Sequence, residues 1–271
     1  MSIKEKERSA VGFMSRHVVA LAIDYKSFND DGSLLHRGTM ILSGWIIELV
    51  GRFYWVTAGH CFKELDAWIE RGTVRVVSGG GFMDYFGNDA VHMHTYPFTY
   101  EPGCAWYLDK PELAIDFGLI PLDSLQSQCL LANGVVPISR NNWLHQPNLD
   151  FQFYRMLGFP EDSVREVARG DEIQVDVRAT IVAVDRIEDS SDWFVGKLDP
   201  AVTLRTIKGM SGGPIYGFRH TDDGRLLYHV VALQSWWDPD SKIIRGCSVP
   251  MFAENCHAAI AEHRRAAMDR E

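Results

Sequence analysis

Apolar and polar positions along this chain fall mostly into short runs rather than long helical stripes. The runs at 18–23, 40–50, 53–56, 73–77, 153–157, 173–184, 202–204 and 229–233 are rich in β-branched and aromatic residues, and turn residues separate them. Ile173-Gln174-Val175-Asp176-Val177-Arg178 alternates strictly, as a strand does when one face meets a core. Asp222-Asp223-Gly224 joins two such runs and predicts a hairpin, and Asp30-Asp31-Gly32 predicts another turn. Neither acidic turn has the ligand spacing of an EF-hand loop. The C-terminal stretch differs. Residues 251–268 are rich in Ala and Glu and contain no Gly or Pro, which predicts a helix. The pattern is that of an all-β protein closed by a terminal helix, with no internal repeat.

Composition narrows the function. The 271 residues, 46% of them hydrophobic, supply ample material for a packed core. Lys plus Arg number 27 against 36 Asp plus Glu, a net charge of −9, and no basic run offsets it. That balance gives no electrostatic basis for nucleic-acid binding. No apolar stretch approaches the roughly 18 residues of a membrane span. The first ten residues carry Lys4, Glu5, Lys6, Glu7 and Arg8, and no apolar signal core follows. The five cysteines, Cys61, Cys104, Cys129, Cys247 and Cys256, are odd in number and scattered. They form no disulfide framework and fit a reducing compartment. The expectation is a soluble cytoplasmic protein without disulfides, with secretion by an unconventional route still open.

Three short segments carry chemistry. Thr57-Ala58-Gly59-His60-Cys61 sets a histidine in a turn of small residues. Leu113-Ala114-Ile115-Asp116-Phe117-Gly118-Leu119-Ile120 holds an acid in an apolar run, where burial without a partner is costly. Gly209-Met210-Ser211-Gly212-Gly213-Pro214 sets a serine among glycines. A serine hydroxyl is a poor nucleophile until a base takes its proton, and histidine titrates close to neutral pH. A carboxylate on the far ring nitrogen fixes the tautomer. The amides of Gly209 and Ser211 are the natural donors to a developing oxyanion. His60, Asp116 and Ser211 are therefore the candidate catalytic set, with activity expected to fall below about pH 7. Gly209–Gly213 also satisfies G-x-S-x-G, but a nucleophile elbow requires a helix after the serine, with acid and histidine downstream. Pro214-Ile215-Tyr216-Gly217-Phe218 reads as a strand, and His60 and Asp116 lie upstream.

With these motifs in this order, the chain resembles the trypsin-like (chymotrypsin-fold) serine peptidases over residues 12–250. The resemblance implies two packed antiparallel β-barrels, 12–124 with His60 and Asp116 and 135–250 with Ser211, followed by the helix at 251–268. The polar segment 140–150 would be the crossing or a surface loop. The resemblance implies endopeptidase activity on a polypeptide substrate through an acyl-enzyme, with no cofactor, nucleic acid or membrane involved. No regulatory protein partner is identified. An inactive peptide-binding relative and an esterase using the same triad remain alternatives.

By the same resemblance, Ser235 would sit beside Asp116, Trp236 would line the primary specificity pocket, and Gly246 would form its opposite wall. Counting back from Ser211 puts Arg205 at the pocket floor, where it would favour an acidic substrate side chain. Met210 stands where relatives activated by proteolysis carry an acid, so N-terminal cleavage is not expected to be required. Segment 78–112 is dense in aromatics, among them Phe82, Tyr96, Tyr100 and Tyr107, and is expected to pack on the first barrel or rim the cleft. It also holds His92 and His94, but no third and fourth ligand, so no metal site is expected.

Overall fold

The computed structural model describes residues 12–49, 51–84, 94–139, 142, 150–169, 172–188, 192–199, 204–256 and 258. Its strands form two main sheets. The first contains β1 (Val18–Phe28), β2 (Leu34–Leu49), β3 (Arg52–Thr57), β4 (Val74–Val76), β5 (Gly81–Asp84), β6 (His94–Pro97), β7 (Trp106–Lys110) and β8 (Ile115–Pro121). They run in the order β6-β5-β1-β2-β3-β8-β7, and β4 also pairs with β1. A two-stranded hairpin, β10 (Arg165–Arg169) with β11 (Glu172–Asp176), stands apart. The second main sheet is a closed barrel of β9 (Phe153–Gly158), β12 (Thr180–Glu188), β13 (Trp193–Leu198), β16 (Ile243–Ser248), β15 (Leu226–Trp237) and β14 (Pro214–His220). Closure leaves this barrel no exposed edge.

The architecture is all-β, as the short β-branched and aromatic runs predict. Asp31 and Gly32 turn β1 into β2, with Gly32 in the left-handed region at φ 80°. Thr221 through Arg225 turn β14 into β15, so Pro214–His220 is a strand and the elbow reading is excluded. Residues 249–256 are helical, and the remainder of the predicted terminal helix lies outside the described residues apart from position 258.

Two helices within the first half were not predicted. One is α1 (Gly59–Glu70) and the other α2 (Ser124–Ala132). Asp123 caps α2 in a capping box with Gln126. The aromatic segment packs inward: Phe82 and Tyr100 are buried, and the Tyr100 and Tyr107 hydroxyls both donate to Asp66 of α1. His92 lies outside the described residues. Among the described residues no group of three metal-ligating side chains gathers, and no helix is long and apolar enough to cross a membrane.

One apolar core joins the two sheets. It takes Val18, Trp45, Val56 and Phe117 from the first and Leu157, Tyr216, Val230 and Leu233 from the barrel. Phe252 of the C-terminal helical segment enters it edge-on to Phe117, with ring centroids 4.9 Å apart. His17 ties the same seam. Its Nδ1 lies 2.6 Å from the Val136 carbonyl and so carries the proton, leaving Nε2 to accept the Tyr228 hydroxyl at 3.0 Å.

Candidate active site

Local backbone rules place His60. Strand β3 ends at Thr57, and α1 begins at once with Ala58 as its N-cap, whose side chain offers no acceptor. The first amides of a helix need acceptors from elsewhere. Asp116 of β8 supplies one: its Oδ1 accepts the His60 main-chain N–H at 2.9 Å, and its Oδ2 accepts the ring Nδ1–H at 2.8 Å. One carboxylate thus fixes both the helix start and the imidazole. Asp116 is only 4% exposed, so its charge is compensated by these two donors. Gly59 makes the approach feasible, because a Cβ there would overlap the Leu108 carbonyl oxygen and stand 2.8 Å from that of Phe117. With Nδ1 protonated toward Asp116, Nε2 of the neutral ring is an acceptor.

The Ser211 turn is held from three sides. Gly212 N–H donates to the Gln234 carbonyl at 2.7 Å, and Gln234 N–H returns a bond to Gly213 at 2.9 Å. Gly209 and Gly212 are both left-handed, at φ 89° and 87°, a conformation that side chains rarely adopt. A Cβ on Gly212 would overlap Thr57 Oγ1 and lie 2.6 Å from the Ala58 amide. The serine turn therefore rests directly on the histidine turn. Met210 is fully buried in the barrel core, so apolar packing anchors this position. Among the described residues the amides of Gly209 and Ser211 take no hydrogen-bond partner.

Two residues missed from sequence hold this junction. Buried Ser43 of β2 donates from Oγ to the Gly209 carbonyl at 2.6 Å and accepts the Phe159 amide at 2.8 Å. Thr57 Oγ1 donates to the Ser43 carbonyl at 2.7 Å. A lone serine in an apolar strand carries no sequence signal, because its partners lie far along the chain.

The structure brings His60 and Asp116 together, but not every predicted neighbour. The Ser211 hydroxyl makes no hydrogen bond to His60 among the described residues. Nε2 instead faces the Cys61 sulfur at 3.6 Å. Ser235 makes no hydrogen bond to Asp116 among the described residues: beside the bulge in β15 between Gln234 and Trp236, its Oγ lies 3.4 Å from the Leu233 carbonyl and 3.3 Å from the Cys247 amide. Gly246 packs closely, since a Cβ there would meet the Leu233 carbonyl and the buried side chains of Ala232 and Ile215. Arg205 is exposed, so its guanidinium keeps its water and needs no buried carboxylate partner. Trp236 is 48% exposed, and the Arg245 guanidinium lies 5.0 Å from its ring centroid.

Electrostatics around the imidazole favour its charged form. Burial disfavours a cation, but the Asp116 carboxylate on Nδ1 and the Cys61 sulfur at Nε2 outweigh it. The His60 pKa is raised from 6.5 to about 11. Behind Asp116, burial pushes the Cys247 thiol up to about 12. All five cysteines are free.

No family model matches the chain, and no curated protein does. Among solved structures it is similar to the protease Anisep from Arthrobacter nicotinovorans, at TM-score 0.42 and 15% identity over 86% of this chain and 90% of that one. It is similar to Deg5 at TM-score 0.44 and 16% identity, covering 93% and 94%. A Glu endopeptidase matches at TM-score 0.42 and 14% identity, covering 88% and 90%. These three structures are chymotrypsin-fold serine proteases.

Proposed function

We propose that the protein is a serine endopeptidase of the reducing cytoplasm, with Ser211 as nucleophile, His60 as base and Asp116 as its orienting carboxylate. The observation that carries this reading is the double grip of Asp116 on His60. It fixes the tautomer, so that Nε2, which the Cys61 sulfur meets at 3.6 Å, is the one nitrogen of the neutral ring able to take a proton, and the turn that bears Ser211 packs against Thr57 and Ala58 just before His60. Ser211 Oγ would attack the scissile carbonyl while Nε2 takes its proton. The amides of Gly209 and Ser211 would receive the oxyanion, and the imidazolium would then protonate the leaving amine. Ordered donors of this kind are each worth about 10²–10³ in rate.

A second reading is a peptide-binding relative without turnover. It is favoured by the Nε2 contact to Cys61 in place of Ser211. One experiment separates the two. The protein is treated with a fluorophosphonate, the modified residue is mapped, and hydrolysis is followed on a panel of peptides and short esters. The peptidase reading expects covalent label on Ser211, peptide cleavage, and loss of both in Ser211→Ala with folding preserved. Undiminished hydrolysis by Ser211→Ala overturns it. Peptide binding without label or cleavage supports the second reading, and cleavage of esters alone identifies an esterase.

A further inference from the structure

Cys61 follows His60 on the first turn of α1, and its sulfur folds back to within 3.6 Å of Nε2 on the neighbouring imidazole. The other ring nitrogen is committed to Asp116 at 2.8 Å. A neutral imidazole with its proton on Nδ1 has a single acceptor lone pair, in the ring plane at Nε2. The thiol and a serine hydroxyl are both donors, so only one of them can use that lone pair at a time. In the cationic ring the Nε2–H is likewise directed to one acceptor, here the sulfur.

We infer that Cys61 is a positioning residue for His60: its thiol occupies Nε2 in the resting protein and must turn away before Ser211 can use that nitrogen. The inference rests on the proposed function for the role of Nε2, and it goes beyond it by naming what holds the base before substrate arrives. A thiol is a weak donor, so a well-placed hydroxyl can displace it. Cys61 is partly exposed and packs against the core shared by the two sheets and against the first sheet's own core.

Other charges near the ring come from several elements. Asp116 lies on β8, and the Cys247 thiol of β16 stands behind it. Lys63, one turn along α1, pairs with Asp109 of β7 at 2.7 Å and also feels Glu112 and Asp116. Cys61 is the group among them that touches Nε2. Its removal should act on that nitrogen and leave the Nδ1 bond in place.

The test follows the His60 ring directly, by ¹⁵N and ¹H NMR titration of the imidazole in wild type, Cys61→Ala and Cys61→Ser. Fluorophosphonate labelling of Ser211 is measured across the same pH range. The expected result is a lower titration midpoint in Cys61→Ala, which removes the sulfur that accepts from the cationic Nε2–H, with the downfield Nδ1 proton retained. Cys61→Ser, whose hydroxyl oxygen can also accept that proton, should fall between. Labelling at pH 7 should rise by about tenfold for each unit of that shift. Identical His60 titrations in the three proteins would overturn the inference, and Cys61→Ser decides it if Cys61→Ala does not fold. Failure of Ser211 to label in any variant refutes the peptidase reading instead, while the titration still decides the role of Cys61.

Discussion

At the scale of single residues, Asp116 combines two tasks that neutral amides cannot share. Each carboxylate oxygen takes one donor of His60, the main-chain N–H and the ring Nδ1–H. In Asp116→Asn only one oxygen remains, and the NH₂ group must face one of two donors. Turnover should fall by about 10⁴, the size of effect that a wrong tautomer produces. Steady-state kinetics on a cleaved peptide would measure it. A loss of less than tenfold would pass the role to another acid, such as Asp109. The pH dependence has a definite sign. Activity needs the neutral imidazole, and the pKa of His60 is raised. The rate should therefore climb with pH through a midpoint above 6.5, where the motif alone suggested a fall only below about 7. A kcat/KM profile already flat from pH 6 upward would contradict this.

At the scale of elements, the approach of α1 to β7 and β8 sets the site, and Gly59 permits it. In Gly59→Ala the new methyl meets main-chain oxygens, which yield less readily than side chains. Overpacking of this kind costs about 1–3 kcal/mol, and a displacement of about 1 Å at a catalytic group costs about 10² in rate. Thermal melting and labelling kinetics should both register the change, and wild-type labelling would show that the helix tolerates the methyl. Ser43→Ala should destabilise by about 1–3 kcal/mol, because it strands the buried Phe159 amide and Gly209 carbonyl. An unchanged denaturant midpoint would refute that estimate.

The strands were legible in sequence because short β-branched and aromatic runs are bounded by turn residues; several, such as β8 and β14, are buried along nearly their whole length. The His60 and Ser211 turns were legible because Gly59 and Gly212 sit where a Cβ would overlap main-chain or hydroxyl atoms, and Asp116 stood out as an acid within an apolar strand. The helices were harder to see. The turn at Thr57–Cys61 opens α1, whose buried face is only Gly59, Phe62 and Leu65 and whose cap comes from 56 residues away. The pocket residues were least legible. Position along the chain says nothing about a bulge at Ser235 or the exposure of Arg205.

At the scale of the whole molecule, each sheet has an apolar core of its own and the two meet in a third, shared one. A buried histidine marks that seam. Burial, aided by the Arg16 cation and opposed by the Val136 carbonyl, lowers the His17 pKa from 6.5 to about 4. A depressed pKa means the unfolded chain takes the proton first. The stabilisation is therefore complete above pH 6.5 and is lost as pH falls toward 4, by about 3 kcal/mol at most. The raised pKa of His60 has the opposite sign, and its contribution disappears only as pH rises toward 11. Denaturant unfolding at pH 7 and pH 4 should show the acid loss, and His17→Gln should flatten it. Equal losses in both proteins would place the acid sensitivity elsewhere.

The shared core bears on what happens when the backbone is severed between Ser139 and Asp150. Each fragment would keep its own core and expose the apolar residues that now meet across the seam. The pieces would seek each other out, and the Ser43 hydroxyl would dock the serine turn as it does in the intact chain. His60 and Ser211, the proposed base and nucleophile, reside on different pieces. Reassociation alone would then restore covalent labelling of Ser211, making the chain a natural split reporter whose signal counts encounters between its halves.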